Sequence, residues 1–161
     1  MSDISKSIIG SIVSALIIAL ALGVWNDYYF KKDNLTGYWK VSFLTTESSY
    51  KNYIGLKTYY DFILNQDGRR IVGTGEKVSE DSVNGIIEYK NGKRTHLNLT
   101  AGINYKIFSA STIDLIYKEK GRKRDSSTVL NLNIESPNKI IGSFISTIAS
   151  SKGTVTFERV Q

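Results

Sequence analysis

The sequence predicts an all-β protein, an antiparallel up-and-down barrel of eight or nine strands preceded by one N-terminal transmembrane helix. Three observations support this: an uncharged apolar run from Ile8 to Trp25, short segments of alternating polarity from Gly37 onward, and turn residues between those segments. At 161 residues, the chain has the length of a single domain. The predicted organisation is an anchor over 1–30, a short linker over 31–36 and a ligand-binding barrel over 37–161.

The apolar run has the length of a membrane span. Its 18 residues would form a helix of about 27 Å, which just crosses the hydrocarbon core of a bilayer. Aromatic residues follow it, and then Lys31 and Lys32, a pattern typical of a membrane interface. By the positive-inside rule these lysines place the barrel in the cytoplasm. The alternative is a cleaved signal peptide, for which Ala19-Leu20-Ala21 is a passable cleavage site.

Small residues recur at every fourth position of this helix. They are Ser7, Ser11, Ala15, Ala19 and Gly23. This spacing keeps them on one slowly drifting face, and small residues allow transmembrane helices to approach each other closely. The stripe therefore predicts that the chain forms a homo-oligomer through its helix.

The predicted strands follow one another with short connections. They are Gly37–Thr46, Leu56–Asn65, Arg69–Val78, Val83–Lys90, Lys93–Thr100, Ser111–Lys118, Ser126–Glu135, Lys139–Ala149 and Thr154–Val160. The turns are placed at Gln66-Asp67-Gly68, Asn91-Gly92, Ser136-Pro137-Asn138 and Ser151-Lys152-Gly153, because glycine, proline and asparagine favour turn conformations. Closing such a meander into a barrel removes its edge strands.

The composition argues against catalysis. The chain has no cysteine and a single histidine, His96, which excludes a disulfide framework, a cysteine nucleophile and any site built on two histidines. The glycine-rich phosphate loop and the G-x-S-x-G nucleophile motif are also absent from the sequence. We therefore expect a binding protein that is not an enzyme and that uses no metal and no cofactor.

A strictly alternating meander would concentrate positive charge at the end of the barrel next to the anchor. That end would hold ten basic residues, Arg69, Arg70, Lys93, Arg94, Lys118, Lys120, Arg122, Lys123, Arg124 and Lys152, against Asp67, Glu119 and Asp125. Basic side chains near an anionic bilayer each contribute about 1 kcal/mol to membrane binding. The rim is expected to face the membrane, with Arg69, Arg70, Lys93, Arg94, Arg122 and Arg124 as an alternative phosphate site.

The opposite rim interleaves tyrosine with lysine. It is expected to combine Tyr50, Lys51 and Tyr53 from one loop with Tyr105 and Lys106 from another. Aromatic rings stack on bases, and lysine neutralises phosphate as a point charge. This rim is therefore the predicted ligand site, and its ligand is expected to be a compact nucleotide.

The start of the barrel and the layout of the chain both resemble known families. The segment Leu35-Thr36-Gly37-Tyr38-Trp39-Lys40-Val41 resembles the G-x-W opening of lipocalin-like barrels. An N-terminal membrane segment followed directly by such a barrel resembles the transmembrane β-barrel effectors of bacterial CBASS anti-phage immunity. That resemblance implies a protein of the bacterial inner membrane that binds a cyclic oligonucleotide, oligomerises and disrupts the membrane, with no DNA or RNA polymer as partner. Members of the family commonly have two transmembrane helices, whereas this chain shows one.

Two other functions remain open from the sequence. One is a tethered or secreted lipocalin-like carrier of a small apolar ligand, and the other is a membrane adaptor without a small ligand. The polarity of the barrel lumen separates the first from a nucleotide receptor, since a lumen of leucine and phenylalanine favours an apolar ligand.

Overall fold

The structure is a computed structural model that describes residues 3–29, 34–90, 94–106, 109–120 and 125–160. The chain divides into two compact units, 1–33 and 34–161, and each is described by itself.

The N-terminal unit contains one helix, α1, over Asp3–Tyr29, so the prediction of a single N-terminal helix is confirmed. Along it Ser11, Ala15, Ala19 and Gly23 recur at every fourth position. Within the described part of the chain, no helix has both the length and the hydropathy needed to cross a membrane.

The second unit is a closed antiparallel β-barrel. Its described residues form nine strands: β1 Gly37–Glu47, β2 Lys57–Asp67, β3 Arg70–Ser82, β4 Gly85–Glu88, β5 His96–Asn104, β6 Thr112–Lys120, β7 Asp125–Ser136, β8 Lys139–Ser146 and β9 Lys152–Arg159. Neighbouring strands in the sheet run in the order β2-β1-β9-β8-β7-β6-β5-β3-β4, and an additional β2–β3 pairing closes the ring. Eight strands therefore form the barrel and β4 is an extra strand.

The extra strand corrects the predicted topology. The predicted strand Val83–Lys90 is reduced to β4, which pairs with the end of β3 from Ser79 to Ser82. All four β4 residues are exposed, so β4 has no face that could pack in a barrel interior. Instead β5 lies beside β3, with Arg70 opposite Gly102. From β5 onward, each connection consequently lies at the opposite end from the one expected.

The two ends of the barrel differ. One end carries residues 34–36 and the β2–β3, β5–β6 and β7–β8 connections, and we call it the closed end. The other, which we call the open end, carries the β1–β2 loop, the β3–β4 hairpin and the β8–β9 loop. The last residues of β6 pair with the first residues of β7 at the open end. The predicted turn at 151–153 is wrong, because a 3₁₀ turn over Ile148–Ser150 precedes β9. The expected turn at Asn91-Gly92 lies outside the described residues.

The core fills the closed half of the barrel. Inward positions alternate with outward ones along β1, β6 and β7, and β5 alternates strictly from His96 to Asn104. Trp39, Phe62 and Phe157 are completely buried, with Phe62 and Phe157 packed edge to face at 5.6 Å between ring centroids. Dense aromatic packing leaves this half without space for a ligand.

Candidate ligand pocket at the open end of the barrel

A pocket of about 280 Å³ occupies the open half of the barrel. Its wall is built from the inward residues at the open ends of the strands, because β-strands turn alternate side chains to the lumen. Its lining includes Phe43, Thr45, Tyr60, Tyr117, Glu119, Thr128, Phe144 and Ser146, with Tyr50, Tyr53, Lys77 and Glu80 nearer the mouth.

Aromatic rings form one side of the pocket. The ring of Phe43 lies 5.3 Å from Tyr60, 6.2 Å from Tyr117 and 5.2 Å from Phe144, measured between ring centroids. All three pairs are edge to face, the arrangement in which the positive edge of one ring meets the negative face of another. Mutual packing holds these rings in place, so the pocket is preformed.

A carboxylate and several hydroxyls form the polar side. Glu119 is 7% exposed, and its Oε2 accepts a hydrogen bond from the Tyr60 hydroxyl at 3.2 Å. On the adjacent strands β7 and β8, Thr128 Oγ1 donates to Ser146 Oγ at 2.9 Å. In the described part of the chain no lysine, arginine or histidine pairs with Glu119.

The two tyrosines beside Glu119 are held in their neutral form. Burial raises the pKa of Tyr60 well above its ordinary value, and the neighbouring Tyr117 and Glu119 raise it further. Burial also raises the pKa of Tyr117, and the negative charge of Glu119 adds to the effect. At neutral pH both side chains therefore keep their hydroxyl protons.

The mouth of the pocket carries further aromatic and charged groups. The rings of Tyr50 and Tyr53 are edge to face, with their centroids 5.1 Å apart. Lys77 forms an ion pair with Glu80, and its Nζ lies 6.0 Å from the centroid of the Tyr60 ring. The cation of Lys77 is thus already neutralised within the pocket wall.

Hydrogen bonds tie the two loops of the mouth to each other. The carbonyl oxygen of Ala149 accepts from the backbone N–H of Ser49 at 2.8 Å and from the Ser49 hydroxyl at 2.7 Å. Ser151 Oγ donates to Ser48 Oγ at 3.2 Å. These bonds hold the β1–β2 loop, and with it Tyr50 and Tyr53, against the β8–β9 loop.

The predicted ligand rim is divided between the two ends. Tyr50, Lys51 and Tyr53 lie at the open end, but Tyr105 and Lys106 follow β5 at the closed end. The expectation that these five residues share one rim is wrong, because β4 leaves the barrel and reverses the ends of all later strands. The Tyr105 hydroxyl accepts a hydrogen bond from Gln66 Nε2 at 3.1 Å, and the ring of Tyr105 packs against the core.

The predicted basic rim is divided as well. Arg69 and Arg70 lie at the closed end, where the Arg69 guanidinium is 6.0 Å from the Tyr105 ring centroid. Arg94 precedes β5 towards the open end and pairs with Glu76 at 3.1 Å. Lys118, Lys120 and Lys152 lie towards the open end, at the end of β6 and the start of β9. The remaining predicted members lie outside the described residues; they are Lys93, Arg122, Lys123 and Arg124. A single rim holding all of these side chains is therefore wrong.

Glu119 is a pocket residue that the sequence-based prediction of a basic rim places incorrectly. The sequence places it among the acidic residues of the basic rim expected to face the membrane, whereas in the structure it lines the pocket. Period-two alternation along β6 contains the signal: Ile113, Leu115 and Tyr117 face inward, and Glu119 is the next residue in that phase. A charged residue at an inward position of a β-strand marks a polar pocket, because burying it in a packed core would be too costly.

The described residues contain no group of three or more histidine, aspartate or glutamate side chains that could hold a metal ion.

No family model and no curated sequence matches the chain. Several designed proteins of known structure have a similar fold. The redesigned β-barrel b11L5F_LGL shares 14% identity and a TM-score of 0.54, covering 79% of this chain and 92% of its own. The redesigned barrel mFAP1, bound to DFHBI, shares 12% identity and a TM-score of 0.54, covering 78% and 94%. A fluorescence-activating β-barrel designed de novo shares 12% identity and a TM-score of 0.51, covering 84% and 97%. These similarities show the fold alone: a closed antiparallel β-barrel.

Proposed function

We propose that the barrel is a receptor for a compact ligand that enters the lumen through the open end. The observation that carries the proposal is the 280 Å³ pocket, which combines an aromatic side with a buried carboxylate. Small-molecule sites are typically concave and mostly apolar, with a few placed polar groups that orient the ligand.

The volume of the pocket limits the size of the ligand. Sites for drug-sized molecules typically enclose about 300–1,000 Å³, so this pocket has room for one or two rings. A cyclic oligonucleotide could place one base in the lumen and would have to leave its sugars and phosphates over the mouth. The rings of Tyr50 and Tyr53, with Lys51 between them in sequence, support this as the second candidate function.

The full form of the second candidate is an antiviral effector. In it, a cyclic oligonucleotide binds at the open end, the protein associates through the stripe of α1, and the inner membrane is disrupted. Its support is the layout of helix followed by barrel, together with the mouth tyrosines. Replacing Ala15 and Ala19 by leucine should weaken cross-linking between chains in membranes, because bulk on the stripe separates the helices. Unchanged cross-linking would remove the stripe from this proposal.

An apolar carrier has less support. The closed half of the lumen is filled by packed side chains, and the open half carries Glu119. A fatty acid would bring its own carboxylate towards that negative group, and like charges in a low-dielectric lumen repel strongly. We therefore favour a ligand with polar or positively charged groups.

Filling the pocket tests the proposal. Ser146→Leu adds bulk inside the lumen, whereas Ser143→Leu adds the same bulk at an exposed position of the same strand. Calorimetry with cyclic dinucleotides, cyclic trinucleotides, a fatty acid and single-ring aromatic compounds should find at least one ligand. Its binding should be lost in Ser146→Leu and retained in Ser143→Leu. Equal affinity in both variants would place the site elsewhere.

A further inference from the structure

We propose that the ligand of this pocket is a small organic cation, with a protonated nitrogen bound by Glu119 and an apolar body packed on the aromatic side. This inference rests on the proposed function and names the chemical class of its ligand.

The first argument is the state of the Glu119 carboxylate. Glu119 is 7% exposed, and Oε2 accepts one hydrogen bond from Tyr60. In the described part of the chain, Oε1 accepts none. A carboxylate oxygen has room for about two hydrogen bonds. The pocket therefore presents an acceptor with free capacity to whatever enters it.

The second argument concerns the countercharge of Glu119. Carboxylates at buried positions are usually hydrogen-bonded and paired with a cation. Lys77 is the lysine that lines the same pocket, and it is paired with Glu80. Among the described residues no other cation reaches Glu119. A ligand that brings its own positive charge would supply such a partner on binding.

The third argument is the set of rings around the carboxylate. Tyr117 precedes Glu119 by two residues on the same inward face of β6, and Tyr60 contacts Glu119 directly. Their ring centroids are 6.3 Å apart, and Phe43 lies within 6.2 Å of both. Aromatic faces carry negative electrostatic potential and attract ammonium groups within about 6 Å. Carboxylate and rings thus favour the same sign of ligand charge.

The same groups disfavour negatively charged and neutral ligands. A ligand carboxylate or phosphate placed in the lumen would face Glu119 at short range. A neutral ligand could donate a hydrogen bond to Oε1, but it would leave the negative charge uncompensated. Hydrogen bonds to a charged group are stronger than neutral ones, so a protonated nitrogen is the best match.

Three probes of one shape test the charge preference: benzylammonium, benzyl alcohol and benzoate. Each is titrated by calorimetry into the full chain in a nonionic detergent. Benzylammonium should bind about tenfold or more tightly than benzyl alcohol, and benzoate should bind most weakly. Tighter or equal binding of benzyl alcohol or benzoate would overturn the inference and leave the pocket as the ligand site. Failure of all three probes at millimolar concentration would contradict the proposed function as well.

Removing the charge tests the role of Glu119. Glu119→Gln removes the negative charge and keeps the shape of the side chain. The affinity for benzylammonium should therefore fall to that for benzyl alcohol, whereas the affinity for benzyl alcohol should be unchanged. Retained benzyl alcohol binding also reports that the variant is folded. Glu158→Gln makes the same change at an exposed position of β9 and should leave all affinities unchanged. A Glu119→Gln protein that still prefers benzylammonium would overturn the inference, and the three-probe comparison on the unaltered chain stands even if this variant does not fold.

Discussion

The indole Nε1 of Trp39 donates a hydrogen bond to the carbonyl oxygen of Leu35 at 2.9 Å, and both residues are completely buried. The segment before β1 thereby folds beneath the barrel and closes one end of it. Gln66 holds the same segment through two hydrogen bonds. Its side-chain Oε1 accepts from the backbone N–H of Leu35 at 2.8 Å, and its backbone N–H donates to Thr36 Oγ1 at 2.9 Å. Since this end is closed, a ligand can enter the lumen from the opposite end.

Trp39→Phe should lower the free energy of unfolding by about 2 kcal/mol or more. The change removes the indole donor from a buried carbonyl group and leaves space in the core, and both effects destabilise. Urea unfolding followed by far-ultraviolet circular dichroism measures the difference. Trp25→Phe in α1 is the matched control and should leave the barrel transition unchanged. Equal losses in the two variants would contradict the role assigned to the Trp39 hydrogen bond.

Gly142→Ala should destabilise the barrel, because the added Cβ would overlap the backbone carbonyl of Asn131 on the neighbouring strand. Overpacking of this kind typically costs about 1–3 kcal/mol. Gly102→Ala is the control, since a Cβ there meets nothing within 4 Å, and its stability should change by less than about 1 kcal/mol. Chemical denaturation compares the two variants. A tolerated Gly142→Ala would mean that β7 and β8 do not approach as closely as described.

The barrel should lose stability at alkaline pH. Burial raises the pKa of Tyr60 and of Tyr117, whereas a tyrosine in the unfolded chain ionises near pH 10. Below about pH 10, these residues make their full contribution to the free energy of unfolding. As the pH rises from there towards their raised pKa values, the free energy of unfolding decreases by about 1.4 kcal/mol per pH unit for each tyrosine.

Urea unfolding at several pH values above neutrality measures this slope. Tyr117→Phe removes one ionising group and should make the slope shallower. Phe144→Leu is the control, because it perturbs the same pocket without removing a titratable group, so its slope should match that of the unaltered chain. An unaltered slope in Tyr117→Phe would show that Tyr117 ionises in the folded barrel as it does in the unfolded chain.

The division of the tyrosines between the two ends predicts opposite effects of two alanine variants. If a cyclic dinucleotide binds, Tyr53→Ala should weaken it about tenfold, since one stacked base contributes about 1–3 kcal/mol. Tyr105→Ala should leave the affinity unchanged and lower the stability, because Tyr105 packs on the core at the closed end. Calorimetry and thermal unfolding separate these effects. Loss of affinity in Tyr105→Ala alone would place the ligand at the closed end.

The second candidate function, a membrane effector, requires the full chain to stay with the membrane pellet after carbonate extraction. This expectation is supported by the uncharged run from Ile8 to Trp25, followed by aromatic residues and two lysines. Extraction of cell membranes followed by immunoblotting against the barrel provides the measurement. Release of the full-length protein, or a mature N-terminus at Leu22, would contradict membrane anchoring.

The positions of the strands along the chain could be predicted because they depend on local rules. All nine predicted strands have a counterpart in the structure, since alternation of polarity and turn residues act over a few neighbouring positions. The most consequential error was to count the segment Val83–Lys90 as a full strand of the barrel. The sequence does contain a turn signal inside this segment, because Asn84-Gly85 matches the pattern of a hairpin turn as closely as Asn91-Gly92 does. In the structure the chain turns at Val83 and Asn84, and Gly85 has a φ of 107°.

The pocket itself could not be predicted with the same rules. Tyr50 and Tyr53 were chosen from sequence and do lie at its mouth, because both belong to a loop between two strands that were correctly placed. The sequence places Tyr105 with them only if β4 is one of the barrel strands, and in the structure it is not. The charge of Glu119 predicts a position on a rim, although the alternation of β6 points it inward.

By itself the sequence determined which segments extend and most of the turns between them, because these follow from contacts between residues close in the chain. Only the tertiary structure decided that β3 pairs with β5 and that β4 stays outside the ring. Strand pairing depends on backbone hydrogen bonds between distant segments, and every backbone offers the same donors and acceptors. The number of strands that enter the ring sets the end at which each loop lies. That number placed Tyr50, Tyr53 and Glu119 around one pocket and Tyr105 at the opposite end.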